Sequence, residues 1–525
     1  MELAFLDAYA AGVFVSASAG NDGPGAGTAN HLSAWTTSVA ASTQTREFRS
    51  HLTVTAPGGA TYEVDGVSIG SGSGATPLPV VLSSAAPYSR PLCDAPAPAG
   101  TFTGKIVACQ RGVNARVEKG FNVFQGGALG MILYNLPPTT DVETDNHWLP
   151  TVHLANGQQL VSFVNANPGA TAQFTAGTPA DGQGDVMASF SSRGPAGPYI
   201  KPDITAPGVQ ILAGHTPTPE SNLEGPPGEH FQAIAVTSMS SPHIAGSAVL
   251  LKALHPDWTP MEIRSAMMLT AKTSVVKENG TTPADPFDMG AGRVDLTVAG
   301  NPGLVMDESA DNMVALAASA ATGVHLNQPS INAPVMPGRV VTTRTFRNVT
   351  PRAQRYRVET TAPAGSSISV SPSDITIGES TSTTVTITIV STAPTAQYFG
   401  EIRLVPITKG AGAATKALHL PVAFVPQQGG VSLVSDCDAD AIAVNASTTC
   451  NVTATNTTFD DITVNLQTTV NDRLRITGAT GATLAGGAAS ATVPLAGGSP
   501  GVPSVDPGEL FGYIPLGAFG VPPTA

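Results

Sequence analysis

The stretch Ala233–Gly246 reads AIAVTSMSSPHIAG and sets Ser238 between a strand-like run and the start of a helix. A serine hydroxyl near neutral pH is a poor nucleophile on its own. It needs exposure at a sharp turn, a base to take its proton, and donors for the oxyanion that forms on an attacked carbonyl. A helix N-terminus supplies outward-pointing backbone N–H groups and favours negative charge. Ser241 followed by Pro242 predicts where that helix opens: a side-chain cap, then proline at the first helical position. Most serines at such places are caps and nothing more, and Ser241 is the better candidate for that role. A second stretch, SASAGNDG at residues 16–23, carries Asn21 in an N-D-G sequence, which by itself reads as an ordinary turn.

The elements that must hold these residues change in texture along the chain. Residues 1–48 read as a helix ending near Gly12, a strand Val13–Ala17 and the loop SAGNDGPG. From about 52 to 180, short strand signals dominate: GKIVACQRG, LGMILYN and LPTVHL, with VEKGFNVFQGG and NGQQLVSFVNA as helices between them. This segment reads as a module of its own that contributes no catalytic group. Near 183 the α/β texture returns. Beyond the Pro242 helix a second helix opens at Thr259, with Pro260 next and Glu262 three residues on, a capping box. After about 320, runs such as VVTTRTFRNVT and TTVTITIV alternate or are β-branched, the pattern of a β-sandwich.

Length and composition bound the answer. A chain of 525 residues holds roughly three to five domains. The 55 glycines and 44 prolines favour turn-rich β structure over long helical bundles. A net charge of −13 without a basic stripe argues against nucleic acid or an anionic membrane as partner. No apolar run reaches the ~18 residues that cross a bilayer. The apolar N-terminus carries Glu2 and Asp7 where a secretion signal has positive charge, so it reads as part of a fold. Cys93, Cys109, Cys437 and Cys450 form two close pairs without metal spacing. They read as two local disulfides of an exported protein, with four inert thiols as the alternative.

TSMSSPHIAG resembles the serine motif of the subtilisin-like serine proteases, and SASAGNDG resembles their asparagine motif. SFSSRGP (189–195) and KPDITAPGV (201–209) resemble the segments before the serine motif, and FDMGAGRVD and NPGLV follow as in larger members. The resemblance implies a multidomain chain of cucumisin type. A partial α/β catalytic domain with a parallel sheet (1–50 and 183–315) is interrupted by an inserted α+β/β protease-associated domain (51–182). All-β sandwich domains follow: one like fibronectin type III (325–426) and a C-terminal β domain (427–525). It also implies a secreted endopeptidase acting on protein or peptide substrates through an acyl-enzyme. Ser238 is then the nucleophile and Asn21 an oxyanion donor, while Ala17, Ser18 and Gly20 form part of the wall beside the specificity pocket.

Two departures qualify that expectation. The family's catalytic aspartate and histidine lie upstream of the asparagine motif. The first fifty residues hold no HGT and no aspartate followed by Ser-Gly or Thr-Gly. His31, His51, His147, His153 and His243 read as ordinary loop, buried or structural histidines, so the chain is expected to lack the front of its catalytic domain and to be inactive alone. Val236 stands where the family has glycine; a β-branched residue resists positive φ, so either the turn there has negative φ or the sequence has drifted from full activity. The competing expectation is a noncatalytic binding or surface protein on the same scaffold. No cofactor is implied, and no D-x-D-x-D-G loop suggests calcium.

Overall fold

The structure is a computed structural model. It describes residues 2–137, 141–316, 320–336, 338–410, 412–414 and 416–426. Beyond these it describes 431–439, 443–444, 446–456, 461–470, 474–485, 488–495, 511–516 and 519–520. Much of the expected C-terminal β domain (427–525) therefore lies outside the described residues.

The chain opens with helix α1 (Glu2–Ala10), strand β1 (Ser16–Ser18) and strand β2 (Thr37–Ser42). It then leaves for the insert. Strands β3 (Arg46–Thr55), β4 (Thr61–Val67), β5 (Leu78–Leu82) and β6 (Ile106–Gln110) precede helix α2 (Arg116–Gln125). Strands β7 (Gly130–Tyr134) and β8 (Thr151–Leu154), helix α3 (Gln158–Ala166), and strands β9 (Thr171–Phe174) and β10 (Thr178–Asp181) complete it. The strand order is β10-β3-β4-β8-β7-β6-β5-β9, and β9 pairs back onto β3, so the sheet closes on itself. Closure leaves no free edge between β3 and β9. Strands β6 and β7 are apolar on both faces because each faces a separate core. Ile106, Ala108 and Ile132 point into the barrel, while Val107, Cys109, Met131 and Leu133 pack with Val123 of α2. The Cys93–Cys109 disulfide, with Cα atoms 5.8 Å apart, lies in the second cluster.

The chain returns as β11 (Ile204–Pro207), the hairpin β12 (Ile211–Gly214) and β13 (Phe231–Ile234), helix α4 (Thr237–Leu254) and helix α5 (Pro260–Leu269). Strands β1, β2 and β11 form a parallel sheet in that order. Ile244, Ala248 and Leu251 of α4 pack on Val39, Ile204 and Ala206 of this sheet. The opposite side of α4 leaves Val249, Leu250 and Leu254 more than half exposed. Helix α5 starts as its sequence predicts: Thr259 Oγ1 accepts from Glu262 N, and Glu262 Oε2 accepts from Thr259 N.

A two-sheet sandwich follows. Strands β14 (Leu304–Val305), β15 (Ile331–Met336), β16 (Arg339–Asn348), β17 (Gln354–Thr361) and β18 (Ser366–Ser371) lead to β19 (Asp374–Ile377), β20 (Ser382–Ser391), β21 (Tyr398–Pro406) and β22 (Leu418–Pro426). One sheet has the order β14-β16-β20-β18 and the other β15-β22-β21-β17-β19. In β20, Val385, Ile387 and Ile389 are buried while the alternating Thr384 and Thr386 are exposed and Thr388 is half-buried, the period-two pattern of a half-buried strand. Further on, Cys437 and Cys450 face each other across β23 (Val431–Cys437) and β24 (Cys450–Asn456) and are bonded.

Candidate active site

The site forms where the asparagine loop meets the N-terminus of α4. After β1, Ala19 N donates to Val39 O, and Gly20 turns the chain at φ +106°. A side chain there would be strained and would meet Ser192 Oγ at 2.7 Å and Asn30 Nδ2 at 2.6 Å. The SFSSRGP segment clamps the loop from below. Ser192 N donates to Gly20 O, Gly23 N donates to Phe190 O, and Ser192 Oγ accepts from Asp22 N at 3.0 Å.

This clamp leaves Asn21 exposed and facing the start of α4. Its Oδ1 accepts from Thr237 N at 2.9 Å, and the Thr237 hydroxyl lies within reach of Asn21 Oδ1 (2.9 Å) and Gly20 O (3.2 Å). With Oδ1 engaged, the free end of the amide is its NH₂ donor. Thr237, which the sequence reading passed over, directly precedes the candidate nucleophile and bonds Asn21.

Helix α4 begins five residues earlier than the Ser241–Pro242 pattern predicts. Thr237 is its first residue and Ser238 its second. The correction has a physical cause. Asn21 takes the Thr237 N–H, Met239 N donates to Val236 O, and Ser240 Oγ donates to Thr237 O, so the first turn is satisfied without Ser241. Ser241 is not the cap; Ser16 Oγ donates to its carbonyl at 2.9 Å, which ties β1 to α4. Pro242 lies inside the helix and has no N–H to give to the Ser238 carbonyl. Val236 precedes the helix at φ −161° and ψ 163°, extended backbone that valine adopts without strain.

Ser238 is exposed, and its hydroxyl is unbonded among the described residues. The sequence's candidate bases are engaged elsewhere. His31 pairs with Glu2 at 2.8 Å and His51 with Asp65 at 2.8 Å on the insert. His243 Nδ1 lies 2.7 Å from Met239 O, one turn back on its own helix. His147 and His153 lie in the insert, where burial pushes them down to about 4 and about 3. Ala17 is buried in β1, and Ser18 and Gly20 are half-buried beside Asn21. Strand β1 is the end strand of its sheet, with one edge unpaired among the described residues.

Two charged clusters brace this geometry. Beneath the sheet, Asp203 accepts from Ser38 N and Lys201 Nζ, each at 2.7 Å, and pairs with Arg264. Burial pushes Lys201 down to about 8 against the pull of Asp203. In the insert, Arg111 and Arg116 bind Glu143, and Arg116 grips Asp145 with both donors at 2.6 and 2.9 Å. Burial works against the charge of Asp145, yet Arg116 holds it down at about 2.

The Subtilase family model matches residues 2–292, and the Fibronectin type-III domain model matches residues 325–411. Subtilisin-like protease SBT1.6 of Arabidopsis thaliana is 34% identical over 410 residues, 68% of this chain and 53% of the relative. SBT5.3 of the same plant is 34% identical over 402 residues (68% and 52%), and SBT1.7 is 38% identical over 336 residues (58% and 42%). The chain spans about half the length of the curated relatives it matches. A family match over more than half of the 525 residues, through both halves of the site just described, means that the chain belongs to the subtilase family.

Proposed function

We propose that the protein is a serine endopeptidase in which Ser238 Oγ attacks the scissile carbonyl of a protein substrate. The new Oγ–C bond gives a tetrahedral oxyanion, which the Ser238 N–H and Asn21 Nδ2 receive. Collapse expels the amine with the serine's proton, carried by a base, and water then cleaves the acyl-serine. The observation that carries this reading is the hold of Thr237 on Asn21 Oδ1, which turns the amide donor outward beside an exposed serine in the first turn of a helix.

We assign the base to a segment outside residues 1–525, because His31, His51 and His243 are bonded elsewhere and His147 and His153 lie buried in the insert. The apolar side chains exposed on α4 and the open edge of β1 support this. Ala17, Ser18 and Gly20 would wall the substrate pocket, and the inserted barrel would act as a protease-associated module. Two disulfides fit an oxidising compartment and support secretion. A fluorophosphonate probe tests the reading. It should modify Ser238 in the protein joined to its base-bearing segment and fail in Ser238→Ala; residues 1–525 alone should not react. Labelling elsewhere, or brisk labelling of the isolated chain, would refute it.

A further inference from the structure

We infer that the insert positions the oxyanion site through one strap, residues 141–148, and that Asp141 and Asn146 are positioning residues for Ser238 chemistry. This rests on the serine endopeptidase reading above and deepens it.

The strap is held from both sides. Toward the insert, the Asp141 carbonyl accepts from Arg111 (2.7 Å) and Asn135 (2.6 Å), while Glu143 and Asp145 bind Arg111 and Arg116. Toward the serine-bearing half, the Asp141 carboxylate accepts from Ser189 N at 3.2 Å and from the Ser189 hydroxyl. Asn146 Nδ2 donates to Phe231 O at 2.7 Å, and Trp148 Nε1 donates to Asn222 O at 3.1 Å.

Both attachments lead to Asn21. Ser189 adjoins Phe190, whose carbonyl holds Gly23 N in the asparagine loop. Phe231 opens β13, which runs into Val236 and Thr237, and Thr237 holds Asn21 Oδ1. One arm therefore sets the loop that carries the amide, and the other sets the backbone that orients it. A cleft of about 680 Å³ is lined by strap residues 143–148 together with Arg46 and Phe231, and one of about 270 Å³ by residues 141–143 together with Ala188 and Gln210. Open space therefore adjoins the strap where the insert meets the serine-bearing half, and the hydrogen bonds of Asp141, Asn146 and Trp148 bridge it.

The strap is also expensive to keep. It buries two carboxylates, and Thr144 Oγ1, Asn146 Oδ1 and both His147 ring nitrogens lack hydrogen-bond partners among the described residues. Buried ion pairs contribute little net stability but fix register well. A fixed register suits a strut whose two ends must meet Ser189 and Phe231 together.

The test uses Asp141→Ala, Asn146→Leu and the conservative Asp141→Asn, which keeps an acceptor for Ser189. In residues 1–525, amide exchange at 18–24 and 230–238 should accelerate about tenfold in the first two variants, with β7 protection unchanged. In the protein joined to its base-bearing segment, kcat on a short ester should fall about tenfold or more with KM within about twofold, and Asp141→Asn should restore most of it. Unchanged exchange and kcat would overturn the inference, as would exchange that rises equally in β7. A wild-type protein that never labels at Ser238 would defeat the endopeptidase reading instead, while the exchange experiment on residues 1–525 would still decide the strap.

Discussion

Acid should loosen the insert before the rest of the chain, and the size of the effect follows from two histidines. His147 has its side chain buried 3.8 Å from Asp145, with Arg116 also facing it, and burial holds it down at about 4. His153 donates from Nε2 to Asn135 Oδ1 and accepts from Glu143 N at Nδ1, and burial holds it down at about 3. The unfolded chain takes up these protons near pH 6.5 and the folded chain does not, so stability falls as pH drops from about 6.5 through 4. The 2.5-unit gap at His147 corresponds to about 3 kcal/mol, and the larger gap at His153 to about 5 kcal/mol. Glu143, raised by burial, gains a proton in the folded state and offsets part of this loss. Domains hold about 5–15 kcal/mol in all, so the insert should open near pH 4. The perturbation is His147→Leu, which removes a buried titrating group that has no hydrogen-bond partner among the described residues. Urea unfolding of residues 1–525 at pH 7, 5.5 and 4.5, followed by amide-exchange protection of β6 and β7, measures it. The wild-type transition should weaken steeply with acid, and the variant should weaken by about 3 kcal/mol less at the acid limit. A flat wild-type profile, or an unchanged slope in the variant, would refute the reasoning.

Asp203→Ala strands Lys201 and Arg264 without their carboxylate beneath the sheet, and should cost about 3–5 kcal/mol in a denaturant titration; a loss below ~1 kcal/mol would show that water reaches the site. Val236→Gly should lower stability by about 1 kcal/mol and bring no gain in acylation rate, because the valine already sits in relaxed extended backbone. A faster glycine variant would contradict this. A non-reducing peptide map should link Cys93 to Cys109 and Cys437 to Cys450, and loss of the first bond should cost roughly 3 kcal/mol. Free thiols or cross-pairing would count against it.

The candidate site residues could be named because they sit in short motifs whose chemistry is local. Asn21 and Ser238 could be named from sequence, although 216 residues separate Asn21 from the Thr237 that orients it. The capping box at Thr259 was legible for the same reason, being written within four residues. The start of α4 was misread because Ser241–Pro242 carries the local signal, whereas the donors and acceptors that fix the true start come from a distant loop. Barrel closure was hidden too, since β9 meets β3 across more than a hundred residues and nothing local records that pairing. The strap lay in a stretch, TDVETDNHW, that reads as a polar loop; only the fold shows which of its side chains turn toward Arg116 and which toward Phe231.

The most direct test of the central claim is the acylation rate of Ser238 in the protein joined to its base-bearing segment, compared between wild type and Asn21→Ala. Asn21 exposes its amide donor beside an uncapped serine, so its loss should slow acylation by about 10²–10³-fold, the range seen when such a donor is removed from subtilisin itself. Substrate affinity and the melting temperature should move little. Acylation that is equally fast without the asparagine amide would contradict the assignment of Asn21 and Ser238 as one catalytic unit.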